Sequence, residues 1–428
     1  MRRRLSTRLL FLGLGLALAT MPPAGAGELR DILEATLTHP QLRARAGEVD
    51  AARAEQRAAG SRYLGQGSLS AGWQRYEGER VVGVFVPTPN STVPLAREIG
   101  QYGVSYSLPV DVFGVIAAAR ARAAGDLGAA RLLARQEMLL KLHQAASAYA
   151  TLQALQRQQE ALARLRDSVT ASHRRVQEEF VLGRAAGVDL RLAESELARV
   201  QADEAGLAAA VANAQAELLE ASGREAGWPM TTAIRVPAWH DGPLQQSLPV
   251  RLAEAREASS AAQARERRRA LWPALSLDAS YYTYQGGGAT SDVWSLGGKV
   301  ALPLDASAWH RVSAQDARAQ AARDEARAAE RDARRQLQAL RANYDGALAD
   351  ARALEQEVRY RREVLAVQRE RWRLGALTLE NLLRQERDLL DAEYRLANAQ
   401  ARAADAWSAA QVIAGLPAAA YIAQLDAP

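Results

Sequence analysis

From Arg131 to Leu182 the chain runs without a Gly or a Pro, and apolar residues return at spacings of three and four. That is the period of an amphipathic helix. The run breaks in QEEFVLGRAAGVDLRLAESEL, Gln177 to Leu197, where Gly183 and Gly187 interrupt a pattern that then resumes. A second break, RWRLGALTLENLLRQERDLL from Arg371 to Leu390, follows the same plan. The periodicity predicts long helices over 115–182 and 309–374, each about 100 Å at about 1.5 Å per residue. In the second, Ala322, Ala326, Ala329, Ala333, Leu337, Leu340, Tyr344, Ala347, Ala351 and Leu354 form a seam suited to knobs-into-holes packing.

Four other stretches alternate with period two, the mark of strands with one apolar face. In GSLSAGWQRY, Leu69, Ala71 and Trp73 oppose Ser68, Ser70, Gly72 and Gln74. In QYGVSYSLPV, Tyr102, Val104, Tyr106, Leu108 and Val110 oppose Gly103, Ser105 and Ser107. In ALSLDASYYT, Leu275, Leu277, Ala279 and Tyr281 oppose Ser276, Asp278 and Ser280; in VWSLGGKVAL, Trp294, Leu296, Val300 and Leu302 oppose Ser295, Gly297 and Lys299. Each stretch is about ten residues, the length of a tilted membrane strand. A soluble sheet alternates too, but four strands sharing small polar residues on one face suit a water-filled lumen, with the other face to lipid. Trp73, Tyr76, Tyr102, Tyr282, Tyr284 and Trp294 are candidates for the interfacial aromatic girdles, and GERVVGVFVPTPNSTVPLARE and GGGATSD for loops at the outer rim.

The pattern occurs twice. Leu182-Gly183 matches Leu374-Gly375 at an offset of 192, which also lays Asp189-Leu190 on Asn381-Leu382, Glu194 on Glu386 and Leu197 on Leu389. Leu108-Pro-Val-Asp111 matches Leu302-Pro-Leu-Asp305, and Pro40 in THPQLRARA aligns with Pro249 in SLPVRLAEA. The expected organisation is a first repeat over 27–223, a linker over 224–245, a second repeat over 246–417 and a tail over 418–428. Segments 29–62 and 188–222 together contain 69 residues, against 68 in the first long helix; 246–271 and 377–414 contain 64, against 66 in the second. Two short helices stacked end to end would match one long helix, which makes a rod or a tube wall. Four strands cannot close a barrel, and an open edge is excluded from hydrocarbon. Three copies would supply twelve strands.

The first 26 residues read as an export signal, with basic MRRRLSTR, apolar LLFLGLGLALA and an Ala24-Gly25-Ala26 cleavage site. Its removal takes Arg2, Arg3, Arg4 and Arg8, so the net charge of +5 falls to +1 and a nucleic-acid partner loses its support. The absence of Cys excludes disulfides, thiolate metal sites and Cys nucleophiles. His39, His143, His173, His240 and His310 show no metal spacing, and His39 before Pro40 reads as structural. No catalytic motif, cofactor or metal site is expected. QGGG at Gln285–Gly288 reads as a flexible loop.

With its duplicated order of elements, both LP-x-D strand exits, both Leu-Gly breaks and a closing IAGLP, the chain resembles the TolC-like outer-membrane efflux proteins over nearly its whole length. The resemblance implies a mainly α fold with membrane β: long-helix coiled coils forming an α-helical barrel, and a trimeric twelve-stranded β-barrel. It also implies a homotrimer in outer-membrane lipid that works with a periplasmic adaptor and an inner-membrane pump. The two breaks become the tips of the periplasmic tunnel, with Leu182, Gly183, Arg184, Val188, Leu374, Gly375, Leu377 and Leu379 as the docking surface for the adaptor. A carboxylate six residues after the tip Gly lines the closed mouth in such proteins. Asp189 occupies that place in the first repeat, whereas Asn381 stands there in the second, with Arg384 following. Arg184, Asp189, Glu380, Asn381 and Arg384 are therefore the candidate gate, weighed against solvated helix-end charges. The competing architecture is a periplasmic coiled-coil adaptor or scaffold without a pore.

Overall fold

The computed structural model describes residues 27–426, apart from 90, 233 and 235. The expected export signal lies outside the described residues.

Two rods dominate, α3 (Val115–Val181) and α6 (Ala306–Arg373). Around them run α1 (Glu28–Thr36), α2 (Pro40–Ser61), α4 (Gly187–Ser222), α5 (Leu248–Arg269) and α7 (Leu379–Ala414). Within the chain α3 touches α2 and α4 on one side and α5 and α7 on the other, and α5 and α7 in turn pack on α6. The shorter helices abut as their summed lengths require. His39 caps α2 by accepting from the Gln41 N–H, and its other ring nitrogen lies 3.1 Å from the carbonyl of Glu220 near the end of α4. Leu248, opening α5, packs directly against Gly415, which ends α7 with a left-handed φ of 71°. The result is a wall of four columns, in the order α4/α2, α3, α7/α5, α6. Each seam residue named in α6 is buried or half-buried while most of its neighbours are exposed, so the spacing identified the packed stripe.

The columns meet in a central core. Trp407 and Tyr149 are fully enclosed there with Leu29, Ile32, Leu139, Leu142 and Leu218. The segment beyond Pro417 adds a helix, α8 (Ala418–Leu425), whose Tyr421, Ile422 and Leu425 are buried in the same core.

At one end the rods give way to a four-stranded antiparallel meander: β1 (Gln66–Val81), β2 (Leu95–Val110), β3 (Ala274–Gly286) and β4 (Ala289–Ala301). These strands run 13 to 16 residues, longer than the alternation indicated, so they extend past what a membrane needs. QGGG is no loose loop. Gly287 and Gly288, at φ 57° and 80°, make a two-residue hairpin that only left-handed residues close without strain. Both rods start at a strand-exit aspartate. Asp305 is the N-cap of α6, accepting from the Ser307 N–H. Asp111 reaches forward instead, to the N–H groups of Ile116 and Ala117.

Candidate functional site: a polar strand face and two tips

The strand register places all ten candidate lumen residues on one face. Ser68, Ser105, Ser280 and Ser295 stand in a single row across the four strands. Their hydroxyls pair at 2.7 Å (Ser68–Ser105) and 2.8 Å (Ser280–Ser295). Ser107 and Asp278 share the next row, Ser276 and Lys299 the one beyond, and Ser70 and Gln74 continue the face on β1. The opposite face carries Leu69, Val104, Tyr281 and Trp294 in one row, all exposed on the isolated chain. Trp73, Tyr102 and Trp294 lie on this apolar side, as a girdle requires. Tyr282 and Tyr284 do not: they alternate with Tyr281 and fall on the serine face. Tyr76 shares that face, bonding Gln74 through its hydroxyl. Aromatic composition suggests a girdle for all three, but parity in the sheet decides.

At the other end the two breaks are the same turn. Gly183 and Gly375 sit at φ 70° and 73°. The Arg184 N–H returns to the carbonyl of Glu179 at 2.7 Å and that of Gly183 to Phe180 at 2.9 Å. Ala376 and Gly375 repeat this onto Arg371 and Trp372 at 2.8 and 3.0 Å. This is the Schellman closure of a helix, which needs a left-handed residue and so selects Gly. Leu182 and Leu374 are 64% and 74% exposed, with Val188 and Arg184 exposed beside them.

Two of the expected docking residues differ. Leu379 is 6% exposed and packs among Leu162, Leu165 and Val169, while Leu377 is half-buried. The reason is placement: α7 lies between α3 and α6 and buries two faces, whereas α4 touches α3 on one. The same asymmetry separates Glu386 from its repeat counterpart, since Glu386 is buried and Glu194 exposed.

The candidate gate residues are brought together only in part. Glu380 and Arg384 pair at 3.1 Å along α7, both largely exposed. Asn381 serves the helix start, its N–H donating to the Thr378 hydroxyl. Among the described residues no ion pair joins Arg184 or Asp189 to Glu380 or Arg384 within the chain.

A set of polar clamps also joins the two hairpins. Buried Glu386 accepts from Arg369 at 3.0 Å and from the Ser168 hydroxyl. Glu393 is held between Arg164 at 2.9 Å and Arg362 at 2.6 Å, and Glu196 pairs with Arg387. Arg175 stacks over the Trp372 ring at 4.7 Å and donates to the Arg373 carbonyl at 3.1 Å, tying one tip to the other. The seven-residue spacings of Glu386 and Glu393, Arg362 and Arg369 were the available signal.

One cluster has the composition of a hydrolase triad. His143 Nδ1 lies 2.8 Å from the Ser408 hydroxyl and Nε2 3.8 Å from Asp405. Ser408 is buried, however, and shared with the Tyr421 hydroxyl, so the set ties α3, α7 and α8 together rather than meeting a substrate. Among the described residues no group of carboxylates and histidines is arranged to hold a metal ion, and no helix is long and apolar enough to cross a membrane.

Known structures share this architecture. VceC from Vibrio cholerae superposes with a TM-score of 0.78 over 91% of this chain and 96% of its own, at 19% identity. The open-state outer-membrane channel MtrE from Neisseria gonorrhoeae gives 0.76 over 91% and 89%, at 18% identity. The Campylobacter jejuni CmeC channel gives 0.73 over 94% and 89%, at 16% identity. At these identities the likeness is one of fold. No match is found among curated protein sequences. The profile of the outer membrane efflux proteins matches residues 32–224 and again 241–416. Its two segments follow the two halves of the four-column wall, and the chain belongs to the outer membrane efflux protein family, whose members are channels of the outer membrane.

Proposed function

We propose that this chain is one of three identical subunits of a passive exit duct, which receives cargo from an inner-membrane pump through a periplasmic adaptor. The observation that carries the reading is the pair of unfinished edges. β1 and β4 each leave one side unpaired. Among the described residues the α4/α2 column packs on α3 alone of the other columns, and α6 on α7/α5 alone. Unpaired strand edges cannot remain in hydrocarbon. Identical copies joined β4 to β1 and α6 to α4/α2 close both walls at once, with three giving twelve strands. The serine face then lines the lumen and the Leu69–Trp294 face meets lipid. An export signal removed after Ala26 would deliver the chain. At the far end the exposed Leu182, Val188 and Leu374 surround two rigid turns and form the adaptor's docking knob, with half-buried Leu377 at its base. Arg184, Asp189, Glu380, Asn381 and Arg384 rim the mouth and supply its closing contacts between copies. A pore-free scaffold has no use for a four-stranded sheet with an exposed apolar face.

Native mass measurement of detergent-extracted protein tests this. A trimer that resists carbonate washing from membranes is the expected result. A stable folded monomer in lipid overturns the reading.

A further inference from the structure

The outer end of the sheet is covered by the chain itself. After β1, residues Val82–Val86 (VGVFV) turn back as an arm. Val82 is fully buried against Ala96, Ile99, Tyr76 and Tyr284, and its N–H donates to the Pro94 carbonyl at 2.8 Å. Gly83, at φ 72°, lies so close to Ser291 that a Cβ there would stand 2.4 Å from that side chain and 3.3 Å from the Tyr284 ring. The Ser291 hydroxyl donates to the Val84 carbonyl at 3.4 Å. Tyr284 and Ser291 face each other across β3 and β4, two rows above Ser280 and Ser295 on the serine face. The arm is therefore anchored on the polar side of the wall, away from Trp294 and Leu296.

Beyond this anchor Val84 and Val86 are 62% and 74% exposed. Lipid does not cover them, because they stand on the wrong side of the sheet. A barrel of twelve strands about 4.8 Å apart, tilted about 40°, has a backbone radius of about 12 Å. A segment packed face to face on a sheet stands about 10 Å from it. Three such arms reach the axis. Resting on the trimeric-duct reading above, we propose that the Val84–Val86 segments of three copies meet there as an apolar outer gate, separate from the periplasmic tips. A hydrophobic constriction of this kind stops hydrated ions by dewetting and carries no charge ring. An outbound solute with an apolar surface wets it and passes.

The native chain contains no Cys, so Val86→Cys and Val84→Cys each place one thiol per copy. The probe is a short bis-maleimide applied to purified trimer, with Trp294→Cys on the lipid-facing side as the reference and native mass recorded for every variant. The expected result is chain-to-chain cross-linking at Val86 or Val84 at least tenfold above Trp294. Trimers that fail to cross-link at both arm positions, or that cross-link equally at Trp294, overturn the gate and leave the duct intact. Loss of the trimer in the unsubstituted chain instead removes the reading on which the gate rests.

Discussion

Single residues set the ends of the rods. Asp111 is partly buried, which alone would raise its pKa. Hydrogen bonds from the Ala117, Ile116 and Val115 backbone and from the Tyr63 hydroxyl outweigh that and hold it below the ordinary carboxylate value. A carboxyl with a lowered folded-state pKa contributes stability that is fully present above the unfolded value of about 4 and is lost as pH falls through the lower folded value. Unfolding of the purified protein followed from pH 6 to about 3 should thus show an acid loss that Asp111→Asn diminishes. At neutral pH, Asp111→Ala should cost about 1 kcal/mol, the usual worth of a helix cap. Gly375 makes a different prediction. Nothing lies within 4 Å of where its Cβ would be, so Gly375→Ala costs only the left-handed strain, about 1 kcal/mol. If thermal unfolding showed a loss several times larger, the turn would be packed against something in the native assembly.

Elements take their character from how many neighbours they have. α7 is wedged between α3 and α6, and its Trp407 is enclosed where the columns join the core. Trp407→Ala should cost about 3–5 kcal/mol through the cavity it leaves. Chemical denaturation of the purified protein is the measurement, and a cost under about 1 kcal/mol would contradict so central a role. The rods, strands and breaks were legible because each is a local pattern: Ala and Leu at helical spacing, serine alternating with apolar residues, Gly after Leu. The seam from Ala322 to Leu354 needed nothing more. What stayed hidden depends on which element ends up between two others. Glu386 looks no different in sequence from Glu194, and no local pattern marks Leu379 for burial, yet within the chain α7 gains a second packed face that α4 lacks. Tyr282 and Tyr284 show the opposite case: aromatic character suggests a girdle, but their parity in β3 puts them on the serine face.

For the whole molecule the two ends should be separable. They stand about 100 Å apart along the rods. Leu377→Asp or Gly375→Trp should abolish export and adaptor cross-linking while trimer yield and membrane insertion stay at the native level. Normal cross-linking and export from both variants would reduce the tips to plain turns. Conversely, Ser105→Leu or Ser280→Leu places bulk in the serine row and should lower single-channel conductance without reducing insertion. Blocked insertion with unchanged conductance in the surviving pores would mean that the faces of the sheet are inverted.

Two of the four columns are unbroken and two are jointed, where the end of α4 meets His39 and Gly415 meets Leu248. Only in α3 and α6 does a single helix run unbroken from the tips to the sheet end. In the other two columns no backbone runs directly through the abutment, so a twist imposed at the tips is expected to relax there, at mid-height. The sheet end should thereby be partly insulated from any rotation imposed at the tips. Amide exchange around residues 36–40, 222–226 and 246–249 should accordingly exceed that in the adjoining turns of α3 and α6, the signature of a wall that twists below its waist and stays still above it.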